Sequence, residues 1–230
     1  MKNNNKFRLD VWGAITLGTI ALYALFLLYP MAYLIRQSVL DPDTGGFTLA
    51  YFTKFFSKSY YFDTLINSFK VSITATVLSI AIGTPLAYLF TIFKIKGKSV
   101  LNILIVVASM SAPFIGAYSW ILLLGRSGVI TAFFKNLGIA IPDIYGFGGI
   151  VLVMTLQLFP LVFLYVSGAM KNIDNSLLEA AESMGCKGIK RFLTVIVPLC
   201  MPTILAAMLL VFMRAFADFG TPLLIGQGYR

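Results

Sequence analysis

The sequence KNIDNSLLEAAESMGCKGIKRFLTVIVP, residues 171–198, is a polar and charged stretch between two long apolar runs. Ser176 and Glu179 have the S-x-x-E spacing of a capping box, which predicts that a helix starts there. Gly185 stands where a left-handed cap would end that helix. An apolar stripe follows the same helix at positions i, i+4 and i+7: Leu177, Ala181 and Met184. The stretch therefore predicts a compact, capped helix on which a partner protein docks.

The composition is typical of an integral membrane protein. Of 230 residues, 59% are hydrophobic and 12% are charged, whereas about 25% of a soluble domain is charged. The net charge of +9 does not indicate a nucleic-acid partner, because the basic residues are not clustered with stacking aromatics on a soluble face. The chain has two cysteines, Cys186 and Cys200, and no histidine. We therefore expect no disulfide framework, no metal site and no cofactor.

Five uncharged runs are each long enough to cross a bilayer, for which about 20 helical residues suffice. Bounded by the nearest charges, these predicted spans are residues 11–35, 71–93, 99–125, 144–170 and 192–213. Their glycines and prolines are tolerated where neighbouring membrane helices re-satisfy the backbone. The sequence therefore predicts an all-α fold, a polytopic transmembrane bundle of about five spans in a single domain over residues 1–230.

The distribution of lysine and arginine predicts the orientation of the bundle. With the N-terminus in the cytoplasm, the three inside segments hold ten basic residues in 36 positions, and the three outside segments hold eight in 70. This excess follows the positive-inside rule. It predicts that the loop over residues 171–191 is cytoplasmic.

Two segments on the opposite side have their own patterns. Residues 36–70 are rich in aromatics, which is typical of an interfacial belt and also of a docking face for an extracytoplasmic partner. The apolar residues between Arg126 and Asp143 predict a short amphipathic helix at the outer interface.

No catalytic set is present in the sequence. None of the nine acidic residues lies in the central part of an uncharged run, which argues against a proton-coupled carrier. The glycines of residues 146–149 and 226–228 follow no strand and lack the lysine of a phosphate-binding loop. We expect a protein that is not an enzyme and does not bind ATP, so that any energy it uses comes from outside the chain.

Polar residues in the third and fourth predicted spans are open to two interpretations. They either line a translocation path or form hydrogen bonds between helices. These residues are Ser109, Ser111, Tyr118, Thr155 and Gln157. Near the last predicted span, Arg214 and Asp218 have the i, i+4 spacing that allows an ion pair.

The loop also carries a longer pattern. Glu179-Ala180-Ala181 is followed after three residues by Gly185, and after nine more by Val195-Ile196-Val197-Pro198. This resembles the EAA loop of binding-protein-dependent ABC importer permeases, whose pattern is E-A-A, three residues, G, nine residues and I-x-L-P. Val195 and Val197 replace the isoleucine and leucine. The residues 67–68 and 83–88 resemble the first core helix of these permeases, and residues 217–222 are similar to a segment of ferric-iron permeases.

The resemblance implies a type I permease fold in the bacterial cytoplasmic (inner) membrane, with a coupling helix that inserts into a separate ABC ATPase subunit. The other implied partners are an extracytoplasmic solute-binding protein, a second permease half or a second copy of the chain, and the lipid membrane. The residues expected to bind the ATPase are Leu177, Glu179, Ala180, Ala181, Met184, Gly185, Val195, Val197 and Pro198.

The resemblance leaves the substrate and the length of the parent protein as expectations. Iron(III) is the expected substrate, with phosphonates and polyamines as alternatives. The resembled permease core continues through a further helix, so the sequence is expected to be incomplete at its C-terminus. The alternative function is a channel or secondary carrier that is not driven by ATP, which would show ionisable groups inside the membrane or internal inverted repeats.

Overall fold

The computed structural model describes residues 11–41, 45–93, 96–110, 112–139 and 142–226. Within these residues the chain is helical and forms no β-strand, which confirms the predicted all-α class. The helices are α1 (Val11–Ser38), α2 (Ala50–Ser57), α3 (Ser59–Ile92), α4 (Lys98–Ser109), α5 (Pro113–Leu124), α6 (Val129–Asn136), α7 (Phe147–Lys171), α8 (Asn175–Ser183), α9 (Gly188–Ala217) and α10 (Gly220–Ile225). Five segments are long and apolar enough to cross a membrane: α1, α3, α5 with α6, α7 and α9.

The helices differ from the predicted uncharged runs mainly at their ends. Helix α7 closely follows the run 144–170. Helix α3 starts at Ser59, well before the run 71–93, and α2 also lies in the segment where the sequence predicted a loop. Charged residues limit an apolar run but do not end a helix, because lysine and most other long polar side chains are good helix formers. The predicted amphipathic helix between Arg126 and Asp143 is present as α6.

The run 99–125 contains two helices instead of one. Helix α4 ends at Ser109 and α5 begins at Pro113. Ala112, directly before that proline, is extended with φ −68° and ψ 141°. A residue that precedes proline is driven out of the α region by the proline ring, and proline itself has no N–H to continue a helix. The length of an uncharged run therefore overestimates the length of the helix here.

The chain divides in sequence into two compact units, with the boundary between Asp63 and Thr64. In the first unit, α1 has no buried residue and contains a π-helical turn at Ala24–Leu28. In the second unit, α7 is the central helix and contributes to two clusters of buried side chains. One cluster lies toward the end of α7 that leads into α8, which we call the loop end, and contains Phe163, Met170 and Phe192. The other contains residues from the start of α7.

Small residues allow α3 to pack closely against α7. The buried residues of α3 include Ser72, Ala75, Thr76, Ser79, Gly83 and Ala87. A Cβ atom on Gly83 would lie 2.8 Å from Cβ of Val162 and 2.9 Å from the carbonyl oxygen of Phe159. The Ser79 hydroxyl donates to the Thr155 carbonyl at 3.5 Å. Small side chains and hydroxyl groups are the usual means by which membrane helices approach each other.

Candidate functional site

The N-terminus of α8 is capped by Asp174. Its carboxylate accepts a hydrogen bond from the backbone N–H of Ser176, with Oδ1 and N 2.9 Å apart. The prediction that Ser176 is the N-cap of a capping box with Glu179 is therefore wrong by two positions. Aspartate and serine are comparable N-cap residues, so the sequence offered two caps and the chain uses the earlier one.

The C-terminus of α8 is closed by a Schellman motif, which confirms the predicted role of Gly185 as a cap. Gly185 has φ +81°, a conformation that favours glycine. The Cys186 N–H donates to the Ala181 carbonyl at 2.9 Å, and the Gly185 N–H donates to the Glu182 carbonyl at 2.9 Å. The helix is thus terminated on both sides by bonds within residues 174–186.

Helix α8 has two distinct faces. Ala181 is buried and Leu178 packs against the cluster at the loop end. Leu177 and Met184 are exposed, at 50% and 78%, and Ala180 between them is exposed as well. The predicted stripe of Leu177, Ala181 and Met184 is therefore split between the two faces. The inward face follows i, i+3 spacing and leaves a second apolar stripe on the outside, which we call the outer stripe: Leu177, Ala180 and Met184.

The segment after α8 is tied to α3 by an aromatic contact. The Tyr88 and Phe192 rings lie 4.6 Å apart between centroids. The Tyr88 hydroxyl donates to the Gly188 carbonyl at 3.3 Å. Both Tyr88 and Phe192 belong to or pack on the cluster at the loop end. A displacement of the loop therefore acts directly on the packed part of the bundle.

Charged groups add a second link within the loop. Arg191 Nη1 donates to Glu182 Oε2 at 3.0 Å, and the arginine side chain is only 16% exposed. The hydrogen bond from the Ser176 backbone N–H lowers the pKa of Asp174, and the Ser176 side chain contributes in the same direction. These hydrogen bonds favour the charged form of the Asp174 carboxylate. Glu179 is exposed and takes no part in capping α8.

The residues of the second half of the EAA-like pattern lie inside α9. Val195 and Val197 are half-buried, and Val197 packs against the cluster at the loop end. Pro198 lies inside α9, which already begins at Gly188. It follows a π-helical turn, Phe192–Ile196, in which the Val197 N–H donates to the Phe192 carbonyl. Proline supplies no N–H for a regular α-helical bond, which is consistent with a wider turn before it.

The polar residues of the predicted translocation path lie in different environments. Thr155 is buried on α7, and its hydroxyl oxygen has no hydrogen-bond partner among the described residues. Gln157 Nε2 is also buried without a partner in the described part of the chain, and a Cβ atom on Gly116 would lie 2.8 Å from it. Tyr118 is 56% exposed, and the Ser109 hydroxyl donates to the Val106 carbonyl at 2.6 Å. Ser111 lies outside the described residues.

Asp218 does not pair with Arg214. Its carboxylate instead accepts bonds from the backbone N–H of Gly220 at 2.9 Å and from the Thr221 hydroxyl at 2.6 Å. Helix α9 ends at Ala217, so the i, i+4 spacing does not continue on one helix. Asp218 thus fixes the turn from α9 into α10.

Sequence reasoning missed three residues that hold the loop in place: Leu178, Tyr88 and Arg191. Leu178 had a signal, since it is the i−3 neighbour of Ala181 and gives an alternative apolar face. Tyr88 is 100 residues from Gly188, and no local pattern indicates a contact over that separation.

Comparison with known proteins now identifies the family. The model of the family "binding-protein-dependent transport system inner membrane component" matches residues 46–229. The chain belongs to this family. The predicted resemblance and the inner-membrane location of the chain are thereby confirmed, and the family match covers both α8 and the helices that pack around it.

The curated relatives of the chain include proteins of two substrate classes. The putative ferric transport system permease protein FbpB 1 of Haemophilus influenzae is 28% identical over 91% of the chain. The spermidine/putrescine transport system permease protein PotB of the same organism is 29% identical over 97%. The chain spans 33% of the length of FbpB 1 and 79% of PotB.

Solved structures show the same fold. A bacterial ABC transporter involved in the import of the acidic polysaccharide alginate superposes with a TM-score of 0.72 at 19% identity, over 94% of this chain and 77% of that chain. The alginate transporter in complex with a periplasmic protein bound to an alginate pentasaccharide gives a TM-score of 0.70, also at 19% identity, over 94% and 76%. The predicted all-α fold, similar to that of ABC importer permeases, is therefore confirmed.

Proposed function

We propose that the chain is the permease subunit of an ABC importer and that α8 couples it to a separate ATPase subunit. The observation that carries this proposal is the outer stripe of Leu177, Ala180 and Met184 on a helix that is capped at both ends. Exposed apolar side chains at i, i+3 and i+7 match the pattern by which a helix lies in an apolar groove of a partner. The small Ala180 between two larger residues would let the partner approach closely.

The contacts behind α8 supply a route for movement. Leu178 packs against the cluster at the loop end, Ala181 is buried, and Glu182 is joined to Arg191 at the start of α9. Tyr88 connects Gly188 to α3. When the ATPase displaces α8, these contacts between Asp174 and Phe192 would make α3, α7 and α9 move with it, whereas a flexible loop would not. Gly185 would act through the cap, whereas Glu179 is free to meet a basic group of the partner.

The remaining partners and the orientation follow from the same proposal. The excess of basic residues in the loops favours a cytoplasmic N-terminus and a cytoplasmic α8. The family description names a binding-protein-dependent transport system, so an extracytoplasmic solute-binding protein would deliver the substrate on the other side. A second permease half or a second copy of the chain would complete the pathway. We retain residues 1–230 as a single permease domain in this proposal.

Thr155 and Gln157 are the best candidates for the translocation path among the predicted residues. Buried polar atoms without partners are costly and rare, and both side chains project from the central helix α7. A passing polar solute or water would satisfy them. Ser109 and Tyr118 are weaker candidates, since the Ser109 hydroxyl is already bonded to its own helix.

We propose iron(III) as the substrate, because FbpB 1 is named as a ferric transport permease. Polyamines are the second candidate, because PotB is similar to this chain at nearly the same identity. Uptake of radioactive iron(III) and of radioactive spermidine by cells that express the complete transporter separates them. Uptake that continues without ATP hydrolysis would instead indicate a channel or secondary carrier.

A charge on the outer stripe tests the coupling proposal. Met184→Glu places a carboxylate at a position that is 78% exposed, so the fold should tolerate it. Burial of a methionine side chain at an interface contributes about 1.5–3 kcal/mol, so we expect co-purification with the ATPase to weaken about tenfold or more, and substrate-stimulated ATP hydrolysis to fall with it.

Leu137→Glu is the matched control, since Leu137 is 59% exposed at the end of α6, outside the loop. This variant should retain the ATPase and its stimulation. Normal association and normal coupled hydrolysis in Met184→Glu would refute the coupling role of α8.

A further inference from the structure

A cavity of about 340 Å³ opens at the loop end of the second unit. It is lined by the last turns of α3 and α7 and by the first turn of α4. Lys98 and Lys171 stand among the lining residues, together with the polar Ser99 and Asn102. The volume is at the small end of the range of ligand pockets, roughly 300–1,000 Å³. Among the residues that the structure describes, no acidic side chain lines the cavity.

Both lysines are available to an anion. Neither ammonium group has a carboxylate within ion-pair distance among the described residues. Lys98 is half-buried, so part of its charge is removed from water, while Lys171 is exposed at the mouth. Two unpaired cations around one cavity attract a negatively charged group and repel another cation.

The start of α4 adds backbone donors to the same cavity. Its N-cap is Gly97, with φ +79°, and no side chain caps the first turn. The N–H groups of Lys98 and Ser99 therefore have no side-chain acceptor from the N-cap. Backbone N–H groups at a helix N-terminus bind phosphate through hydrogen bonds and the helix dipole. Lys98, Lys171, Asn102 and the start of α4 thus all line one small cavity.

The position of the cavity identifies the source of the anion. Three uncharged runs end at its rim: residues 71–93 before it, 99–125 starting beside Lys98, and 144–170 ending before Lys171. This is the depth at which a membrane helix passes from hydrocarbon to headgroups. The Phe90 and Phe163 rings line the cavity and meet edge to face with centroids 5.1 Å apart.

Helix α4, which lines the cavity with its first residues, also has an exposed apolar surface. Four of its side chains are exposed at i, i+3, i+4 and i+7: Val100 at 61%, Ile103 at 58%, Leu104 at 58% and Val107 at 61%. A free phosphate ion would use the cavity and leave this stripe bare. A phospholipid would use both, with its headgroup in the cavity and its acyl chains along α4.

We propose that the cavity between α3, α4 and α7 binds the phosphate of an anionic phospholipid, held by Lys98, Lys171 and the N-terminus of α4. Such a lipid would link the start of α4 to the end of α7, directly before the chain enters α8. The site does not require α8 to bind an ATPase, so it is independent of the coupling proposal.

Native mass spectrometry of the purified full chain with phosphatidylglycerol and phosphatidylcholine of equal acyl chains tests the proposal. We expect wild-type protein to retain phosphatidylglycerol preferentially. Each basic residue near a membrane surface contributes about a fivefold factor to binding of anionic lipid, so Lys98→Gln with Lys171→Gln should lose most of the preference. Lys98→Arg with Lys171→Arg keeps the charge and should restore it. Lys135→Gln, on α6, is the matched control and should leave the preference unchanged.

The outcomes separate the two sources of phosphate. Equal retention of the two lipids by wild-type protein, a result that needs no variant, would overturn the proposal. So would an unchanged preference in the doubly neutralised variant. Glycerol 3-phosphate should displace the lipid weakly, because it has no acyl chains for α4. Displacement by equimolar glycerol 3-phosphate would make this a site for soluble phosphates and would contradict the lipid assignment.

Discussion

Helices α7 and α8 are neighbours in sequence, but they are held in opposite ways. Helix α7 is fixed by its sides, through residues that are buried against α3 and α9 along most of its length. Helix α8 is fixed by its ends, through the Asp174 cap and the Schellman motif at Gly185, and one of its faces is left bare. The first arrangement resists bending, and the second keeps a docking face in shape without covering it.

This difference explains how a single chain can be both a scaffold and a docking site. An apolar face can stay exposed only if other interactions maintain the helix, since packing normally supplies most helical stability. Local caps serve that purpose in α8. We therefore expect that substitutions in the packed core of α7 lower the stability of the whole bundle, whereas substitutions in the caps lower the stability of α8 alone.

The largest expected effect is from Phe163→Ala. The Phe163 side chain is 1% exposed and packs against Phe90. Truncation of a buried phenylalanine leaves a cavity and costs about 3–5 kcal/mol. Chemical unfolding in detergent should show this loss, while exchange of the α8 amides in the folded state stays unchanged. Phe133→Ala is the control, since Phe133 is 62% exposed on α6 and should change stability little. Equal effects of both would contradict the packed role of α7.

A smaller effect on the same interface is expected from Gly83→Ala. The new Cβ would lie 2.9 Å from the Phe159 carbonyl oxygen, so backbone must move. Overpacking of this kind costs about 1–3 kcal/mol. Gly168→Ala is the control on α7, because nothing lies within 4 Å of its added Cβ, and alanine favours a helix over glycine by roughly 0.5–1 kcal/mol. Stability should therefore change in opposite directions, as measured by the midpoint of unfolding. A stabilising Gly83→Ala would show that α3 and α7 are not closely packed.

The helices and the loop pattern could be predicted from the sequence because both depend on local composition and spacing. The uncharged run 144–170 predicts α7 almost to its ends, and Gly185 predicts the end of α8. Pro113 also indicates a helix break, since proline restricts the residue before it, but the length of the uncharged run 99–125 alone does not show this break. The local sequence does not predict whether Asp174 or Ser176 is the N-cap, because either residue can cap a helix.

The face of α8 that points inward could not be predicted from periodicity. Two apolar stripes, one through Leu177 and one through Leu178, share Ala181, so the spacing of apolar residues fits either face. The cluster at the loop end packs against Leu178, and this contact decides which face points inward. That cluster is built from α3, α7 and α9, which are distant in sequence. The contact of Tyr88 with Gly188 depends on the same tertiary arrangement. The cavity at Lys98 and Lys171 likewise forms only when three helix ends meet.

Gly185→Ala tests the capped helix itself. Nothing lies within 4 Å of a Cβ atom added at Gly185. The loss of stability of the capped helix therefore comes from the left-handed backbone alone and is about 1–2 kcal/mol for a residue with a Cβ. We expect the amide of Cys186, which closes the Schellman motif, to exchange several-fold faster, with the global unfolding midpoint little changed. In Gly185→Asn, the exchange rate of the Cys186 amide should lie between those of wild type and Gly185→Ala, because asparagine tolerates this conformation better than alanine does. An equal loss of protection across α7 would show that α8 and the bundle unfold together.

The smallest expected effect on stability is the loss of the charged Asp174 cap at low pH. Its hydrogen bond from the Ser176 backbone N–H lowers the pKa in the folded protein below the ordinary value of 3.8. A lowered pKa means that the charged cap stabilises α8 above that ordinary value and that this contribution is lost as the pH falls through the folded-state pKa. The midpoint can be measured from the Asp174 carboxyl carbon shift by NMR in detergent micelles. Ser176→Ala removes the hydroxyl and keeps the backbone donor, so most of the lowering should remain. If Ser176→Ala returned the pKa to 3.8, the cap would depend on the serine side chain, and the start of α8 would be held by the residue that the S-x-x-E spacing first indicated.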